Sequence, residues 1–303
     1  MKHIVTGGSG FIGSHIVDRL VSDDHDVVVI DNESADCHDN FYHNEKATYY
    51  KYDICELQKI QSLFENVDTV FHCAAEARIQ PSIENPFLTV NTNVNGTLSV
   101  LEASKRTGVR RLIYSSTSSS YGHGNVPNYE TAKEDCLTPY SVSKVAGEKL
   151  CSVYDGLHGL DSVVLRYFNV YGDRSPLRGH YAPVIGKFLR QKRNSQPLTI
   201  IGDGLQTRDF THISDVVEAN ILASNCDFDD VEKKVINIGT GKPRTIKEIA
   251  EMISDNITYL KERPGEVRHT HAMNARSDFI LGKSDYVNLL DWLKEELEKN
   301  NEG

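Results

Sequence analysis

The sequence has no excess of basic residues. Its 303 residues include 33 Lys and Arg against 43 Asp and Glu, a formal net charge of −10. That balance excludes a general nucleic-acid or anionic-membrane binder, which needs a basic face. An anionic ligand would have to be held by a few local arginines. No apolar run approaches the roughly 18 residues that span a bilayer, so no membrane contact is expected. The N-terminus runs Met1-Lys2-His3-Ile4-Val5 directly into glycines, without the charged-then-apolar order of a secretory leader. The 6 cysteines (Cys37, Cys55, Cys73, Cys136, Cys151 and Cys226) form no C-x-x-C pair and no zinc-spaced group with histidine. Reduced thiols in a cytoplasmic protein, with no bound metal, are the expectation. There is no internal repeat and no low-complexity tract.

What is present is an alternation. β-branched and aromatic runs recur at Ile4-Val5-Thr6, Val27 to Ile30, Tyr49 to Tyr52, Val67 to His72, Leu112 to Tyr114 and Ser162 to Tyr167. Segments of helical length lie between them, the clearest carrying Val90, Val94, Leu98 and Leu101 on one stripe. Strands alternating with helices predict right-handed βαβ units and an α/β fold: a Rossmann-type, doubly wound parallel sheet. After about residue 170, Gly172, Pro176, Gly179, Pro183 and Gly186 break the pattern. The expected division is a dinucleotide domain over residues 1–168 and a smaller C-terminal substrate lobe over 169–303, with segments at about 205–240 returning to the sheet. Asp291 to Glu302 reads as an acidic, solvated helix.

The segment Thr6-Gly7-Gly8-Ser9-Gly10-Phe11-Ile12-Gly13 follows the first strand and opens a helix. Gly7 and Gly10 let the backbone turn and approach a pyrophosphate, and Gly13 lets helix and strand pack closely. The helix N-terminus offers N–H groups to the phosphates. Asp31 ends the second strand, where a carboxylate accepts from ribose hydroxyls and repels a 2′-phosphate, so NAD is expected over NADP.

Tyr140 and Lys144 stand four apart, on one helix face, with Pro139 at the helix start. A tyrosine with a pKa near ~10 needs neighbouring positive charge to act as a base at neutral pH. The fifth strand ends in the hydroxyl run Tyr114-Ser115-Ser116-Thr117-Ser118-Ser119-Ser120, where ligands bind in open α/β sheets.

These features, with His72-Cys73-Ala74-Ala75, Asn93-Val94-Asn95-Gly96-Thr97, Arg166-Tyr167-Phe168-Asn169, Thr207-Arg208-Asp209-Phe210 and Arg263-Pro264-Gly265-Glu266, resemble the extended short-chain dehydrogenase/reductase superfamily in its NAD-dependent epimerase/dehydratase branch. Within it the sequence is most similar to UDP-hexose 4-epimerases. The resemblance covers almost the whole chain and implies roles by position. Phe11 and Ile12 would contact the pyrophosphate, Asp31 and Asn32 the ribose, and Asp53 and Ile54 the adenine. Cys73, Ala74, Ala75, Ala77, Thr92 and Ser115 would lie along the dinucleotide, with Tyr167 and Phe168 at the nicotinamide. Thr117, Tyr140 and Lys144 would be catalytic, with Lys144 lowering the Tyr140 pKa. Asn169, Arg208 and Arg263 would hold the diphosphate, Thr199 and Ile200 the uracil through backbone groups, and His180 and Tyr181 the sugar side.

The implied reaction inverts C4 of a UDP-sugar through a 4-keto intermediate. The resembling dehydratases carry Asp-Glu after the catalytic threonine, and the decarboxylases a Glu close by. Here Thr117 is followed by Ser118-Ser119-Ser120. Another NAD-dependent nucleotide-sugar oxidoreductase, or a non-catalytic NAD-binding regulator, is the alternative. Thr270, seven residues after Arg263, takes the position that borders the sugar C2 substituent in the resembling enzymes. Its small side chain implies room for N-acetylhexosamines beside glucose and galactose. The Val90–Leu101 stripe and that of Val142, Val145 and Val153 resemble the helix pair of a homodimer interface, with ordinary core packing as the other reading.

Overall fold

The computed structural model describes residues 1–35, 41–176, 183–228, 234–262 and 267–301. In chain order the strands are β1 (Lys2–Thr6), β2 (Asp26–Ile30), β3 (Thr48–Tyr50), β4 (Thr69–His72), β5 (Arg111–Thr117), β6 (Asp161–Tyr167), β7 (Val170–Tyr171), β8 (Leu198–Ile201), β9 (Thr207–Arg208), β10 (Thr211–His212), β11 (Val235–Ile238), β12 (Arg244–Thr245) and β13 (Ile257–Leu260). The helices are α1 (Phe11–Ser22), α2 (Leu57–Ile60), α3 (Ile79–Glu84), α4 (Pro86–Val90), α5 (Thr97–Thr107), α6 (Pro139–His158), α7 (Val184–Arg193), α8 (Ile213–Asn225), α9 (Ile246–Ile253), α10 (Ala275–Leu281) and α11 (Leu289–Asn301). A π-helical turn, Asn91–Gly96, joins α4 to α5.

Seven parallel strands form the main sheet in the order β11-β6-β5-β4-β1-β2-β3. Side chains alternate across it, and both faces are covered. In β1, Ile4 packs with Val28, Val70, Leu101 and Cys151, while Val5 packs with Ile16, Val29, Phe71 and Val216 on the other face. Burial on both faces is why these strands read as continuous β-branched runs. Each fully buried Ile or Val contributes roughly 1.5–3 kcal/mol. Strand order reverses between β1 and β4, which opens a crevice at their carboxyl ends.

The smaller lobe has its own core, with Tyr171, Phe188, Ile200, Phe210, Ile249 and Leu293 at its centre. The chain crosses back more than once. Helix α8 and strand β11 join the main sheet's layers, and Leu281 of α10 lies in the same core as Val216 and Ile236, so the return extends well past residue 240. Helix α11 corrects the expectation of a solvated tail. Its Leu289 and Leu293 are buried in the small lobe, and only its other face is charged. Among the described residues the cysteines are free thiols, and no helix is long and apolar enough to cross a membrane.

Candidate active site

A cleft of about 820 Å³ runs along the carboxyl edge of the sheet, from the glycine loop to the small lobe. Its first end is built for a dinucleotide. Gly7 is left-handed at φ +70°, and a Cβ there would meet the Ala74 nitrogen at 2.7 Å. A Cβ on Gly13 would lie 2.2 Å from the Gly7 carbonyl oxygen. Gly10 occupies the N-cap of α1 with no capping side chain, and no acidic residue lies in the first turn. The N-terminal amides and partial positive charge there suit an anion. Asp31 lines the cleft, its carboxylate accepting from Ser9 N–H at 3.0 Å and Glu33 N–H at 2.8 Å. The carboxylate thus ties the second strand to the glycine loop. Phe11, Ile12, Asn32, Ile54, Cys73, Ala74, Ala75, Ala77, Thr92 and Ser115 also line the cleft. These residues fit NAD.

Asp53 stands back from the cleft. It accepts from the Asn32 amide at 3.2 Å and from Cys55 N–H at 2.8 Å, so it positions rather than lines. Phe168 is a correction too. Tyr167 ends β6 facing the cleft, so the next side chain points the other way, and Phe168 stacks on Tyr121 in a buried cluster.

The reacting end is set by a capping box. Thr138 and Ser141 exchange side-chain and backbone hydrogen bonds, and Pro139 occupies the first turn of α6. Tyr140 follows, its N–H donating to Ser82 Oγ at 3.2 Å. Thr117 caps a short 3-10 turn, its Oγ1 accepting from Ser119 N–H at 3.1 Å. The Thr117 hydroxyl stands near enough to the Tyr140 phenol to oppose, in part, the rise in pKa that burial imposes on it. Lys144 lies beneath the cleft, its Nζ 4.3 Å from the centre of the Tyr114 ring. Burial pushes its ammonium down to about 8. Gly147 makes this packing possible, because a Cβ there would meet the Tyr114 oxygen at 2.1 Å.

Two buried networks hold the site, and sequence reasoning assigned a role to neither. Glu148, one turn after Lys144, accepts from Ser116 Oγ at 2.5 Å and forms a two-point ion pair with Arg166 at 2.9 and 2.6 Å. This couples α6 to β5 and β6. The second network runs from Ala74 N–H to Thr6 Oγ1, then to His72 Nδ1 at 2.7 Å, and from His72 Nε2 to Thr97 Oγ1 and the Asn93 carbonyl. That direction of donation requires neutral His72, and burial lowers its pKa to about 3. The Asn93 side chain clamps both backbone groups of Glu76 and donates to Ser143. Glu76 itself lines the cleft, a carboxylate that sequence reasoning passed over because it follows β4 rather than Thr117. The motifs containing His72 and Asn93 were visible signals of these contacts.

At the small-lobe end, Asn169, Thr199, Arg208 and Thr270 line the cleft. Asn169 Nδ2 donates to the Thr270 hydroxyl at 3.1 Å and to the Asp209 carbonyl at 2.9 Å. Thr199 N–H already donates to Gln191 Oε1 at 3.1 Å. The Ile200 side chain is buried in the small-lobe core, which leaves only its backbone for the expected contact, and Ile201 lines the cleft as well. Gln206 lines it as well, having given no signal in the sequence. His180, Tyr181 and Arg263 lie outside the described residues.

A doubly wound sheet with a glycine loop at its switch point and a Thr/Tyr/Lys group at its carboxyl edge defines a nicotinamide-dependent short-chain dehydrogenase fold. The chain belongs to the NAD dependent epimerase/dehydratase family, whose model matches residues 3–239. Its cofactor is NAD. The UDP-glucose 4-epimerase of Thermotoga maritima, solved with UDP-glucose, superposes with a TM-score of 0.91 at 32% identity, covering 100% of this chain and 99% of that one. The UDP-N-acetylglucosamine 4-epimerase of Methanobrevibacter ruminantium M1, solved with UDP-N-acetylmuramic acid, gives 0.88 at 35% identity over 99% and 97% of the two chains. A UDP-glucuronate 4-epimerase of Thermodesulfobacterium geofontis is 32% identical over 98% of this chain and 97% of its own.

Proposed function

We propose that the protein is a UDP-sugar 4-epimerase that interconverts UDP-glucose with UDP-galactose and UDP-N-acetylglucosamine with UDP-N-acetylgalactosamine. The observation that carries this is that Thr117 and Tyr140 line one continuous cleft together with the glycine loop and with Asn169, Arg208 and Thr270. Bound NAD would supply the acceptor and then the donor of the C4 hydride, so that the sugar would pass through its 4-keto form. Tyr140 removes the proton of the C4 hydroxyl and later restores it. Thr117, its oxygen engaged by Ser119 N–H, directs its own proton to the sugar oxygen or to Tyr140. Such a positioned base contributes ~10²–10⁴ in rate. Burial raises the Tyr140 phenol, so ionisation requires cationic neighbours. Lys144, one helical turn on along α6, and the positively charged nicotinamide of bound NAD would be those neighbours. Asn169 and Arg208 hold the diphosphate while the sugar turns over to present its other face.

Thr270 supports the N-acetyl substrates. It is a small residue lining the cleft beside Asn169. Product analysis with the four UDP-sugars tests the proposal. Formation of the C4 epimer from both sugar classes is expected, and turnover of plain hexoses alone would overturn the wider specificity.

The active unit we propose is a homodimer. Phe87, Leu88, Val90 and Leu98 are exposed along α4 and α5, and Val142, Val153 and Leu157 along α6. Leu101 faces the core instead. An apolar surface of this extent favours covering by a second copy. A solution mass of twice the chain's 34.0 kDa is expected, and a monomer at micromolar concentration would contradict it.

A further inference from the structure

We propose that Arg174 and Tyr42 form a bridge between two loops that retains NAD between turnovers. The proposal rests on the epimerase reading, in which the cofactor oxidises and then reduces the same sugar. A cofactor lost between those steps would strand the keto sugar.

Tyr42 belongs to the segment after β2 and Arg174 to the segment after β7. Their neighbours Phe41 and Pro176 both line the cleft. The Arg174 guanidinium carbon lies 4.0 Å from the centre of the Tyr42 ring. Both residues also bind one carboxylate on α1. Arg174 Nη2 is 2.8 Å from Asp18 Oδ2, while the Tyr42 hydroxyl and the Asn44 amide donate to Asp18 Oδ1 at 3.0 and 2.7 Å. The Arg174 guanidinium also faces the His15 ring, Nη2 2.6 Å from Nδ1 and Nε 3.1 Å from Nε2, and Nε2 lies 2.9 Å from the Asp173 carbonyl oxygen. Burial, with the Arg174 charge beside it, lowers the His15 pKa and favours a neutral ring that can accept from the guanidinium. His15 packs edge-on against Phe11, and Tyr42 N–H reaches the Ser9 carbonyl at 3.4 Å. The two loops are thus tied to each other and to the helix whose N-terminus meets the pyrophosphate.

The arrangement is held against a cost. Arg174 adopts φ 60°, a left-handed conformation that arginine rarely takes, and its Nη1 is buried with no hydrogen-bond partner among the described residues. A backbone outlier beside a cofactor cleft is the kind of strain that a functional constraint preserves. Release of NAD would then require the loops to part and the stacked pair to open.

The test loads the holoenzyme with radiolabelled NAD and chases it with unlabelled NAD. No sugar is present, so the outcome is independent of whether the substrate reading is right. Arg174→Ala and Tyr42→Ala should each release NAD at least about tenfold faster, the effect of ~1.4 kcal/mol, and the double variant no faster than the quicker single. Tyr42→Phe keeps the ring beneath the guanidinium and should stay closer to wild type than Tyr42→Ala. The first reduction of bound NAD by a UDP-sugar, measured at saturating NAD, should be unchanged in all of them. Release within about twofold of wild type in either alanine variant would overturn the bridge. So would Tyr42→Phe releasing as fast as Tyr42→Ala.

Discussion

The ammonium of Lys144 faces the Tyr114 ring, with Nζ 4.3 Å from its centre, in a position closed to solvent. A lysine buried in this way is a functional feature held at the expense of stability. Its folded pKa is about 8 against an ordinary 10.5. The unfolded chain therefore binds more protons between those values. The cost to the folded state is full below about 8 and is relieved as the pH rises to 10.5. It is on the order of 3 kcal/mol.

Lys144→Met should accordingly raise the melting temperature of cofactor-stripped protein near neutral pH. The gain should shrink as the pH climbs from about 8 to 10.5. Thermal unfolding followed by circular dichroism checks this. A variant less stable than wild type throughout that range would mean that the cation–ring contact outweighs the burial cost.

Asp31→Ala removes the acceptor for Ser9 and Glu33 N–H and the carboxylate that would repel a 2′-phosphate. NAD affinity should fall by about tenfold or more, and the preference for NAD over NADP should narrow. Titration of both dinucleotides measures it. An unchanged preference would remove Asp31 from ribose recognition.

Thr270→Tyr should abolish turnover of the N-acetylhexosamine substrates and spare UDP-glucose and UDP-galactose. The Thr270 oxygen also accepts from Asn169 Nδ2 and Asp209 N–H, so its loss needs a control. Thr270→Val removes the hydroxyl without adding bulk and should keep both sugar classes active. Equal loss of both classes in Thr270→Tyr, with Thr270→Val active, would mean that size at this position does not select the sugar.

Much of this architecture was legible because the central strands are buried on both faces, and Val27 to Ile30 or Val163 to Leu165 can be little else. The glycine loop, Asp31, Thr117 and Tyr140 sit at strand ends or the first turn of a helix, where local sequence dictates position. Residue parity hid Phe168. It follows a cleft residue at the end of an extended segment, and so turns into the packing behind it. The surroundings of Lys144 were hidden for another reason. Its partner Tyr114 lies on a different element, and its closeness depends on Gly147, whose reason for being glycine appears only in three dimensions. The second lobe, including α11, was least legible. Its strands are short, and although α9 carries Ile246, Ile249, Ala250 and Ile253 at helical spacing, the elements form a core only together.

The central claim is that C4 is inverted through oxidation and reduction by one retained cofactor, with Tyr140 moving the proton. The most direct measurement is to incubate the holoenzyme with UDP-galactose or UDP-N-acetylgalactosamine in deuterated water and examine C4 of the product by NMR. The C4 epimer should form with its original hydrogen in place, because that hydrogen never meets solvent. Tyr140→Phe should hold NAD and lose far more than about tenfold in rate. Deuterium at C4, no epimer from any UDP-sugar, or a Tyr140→Phe variant within about tenfold of wild type would contradict the account.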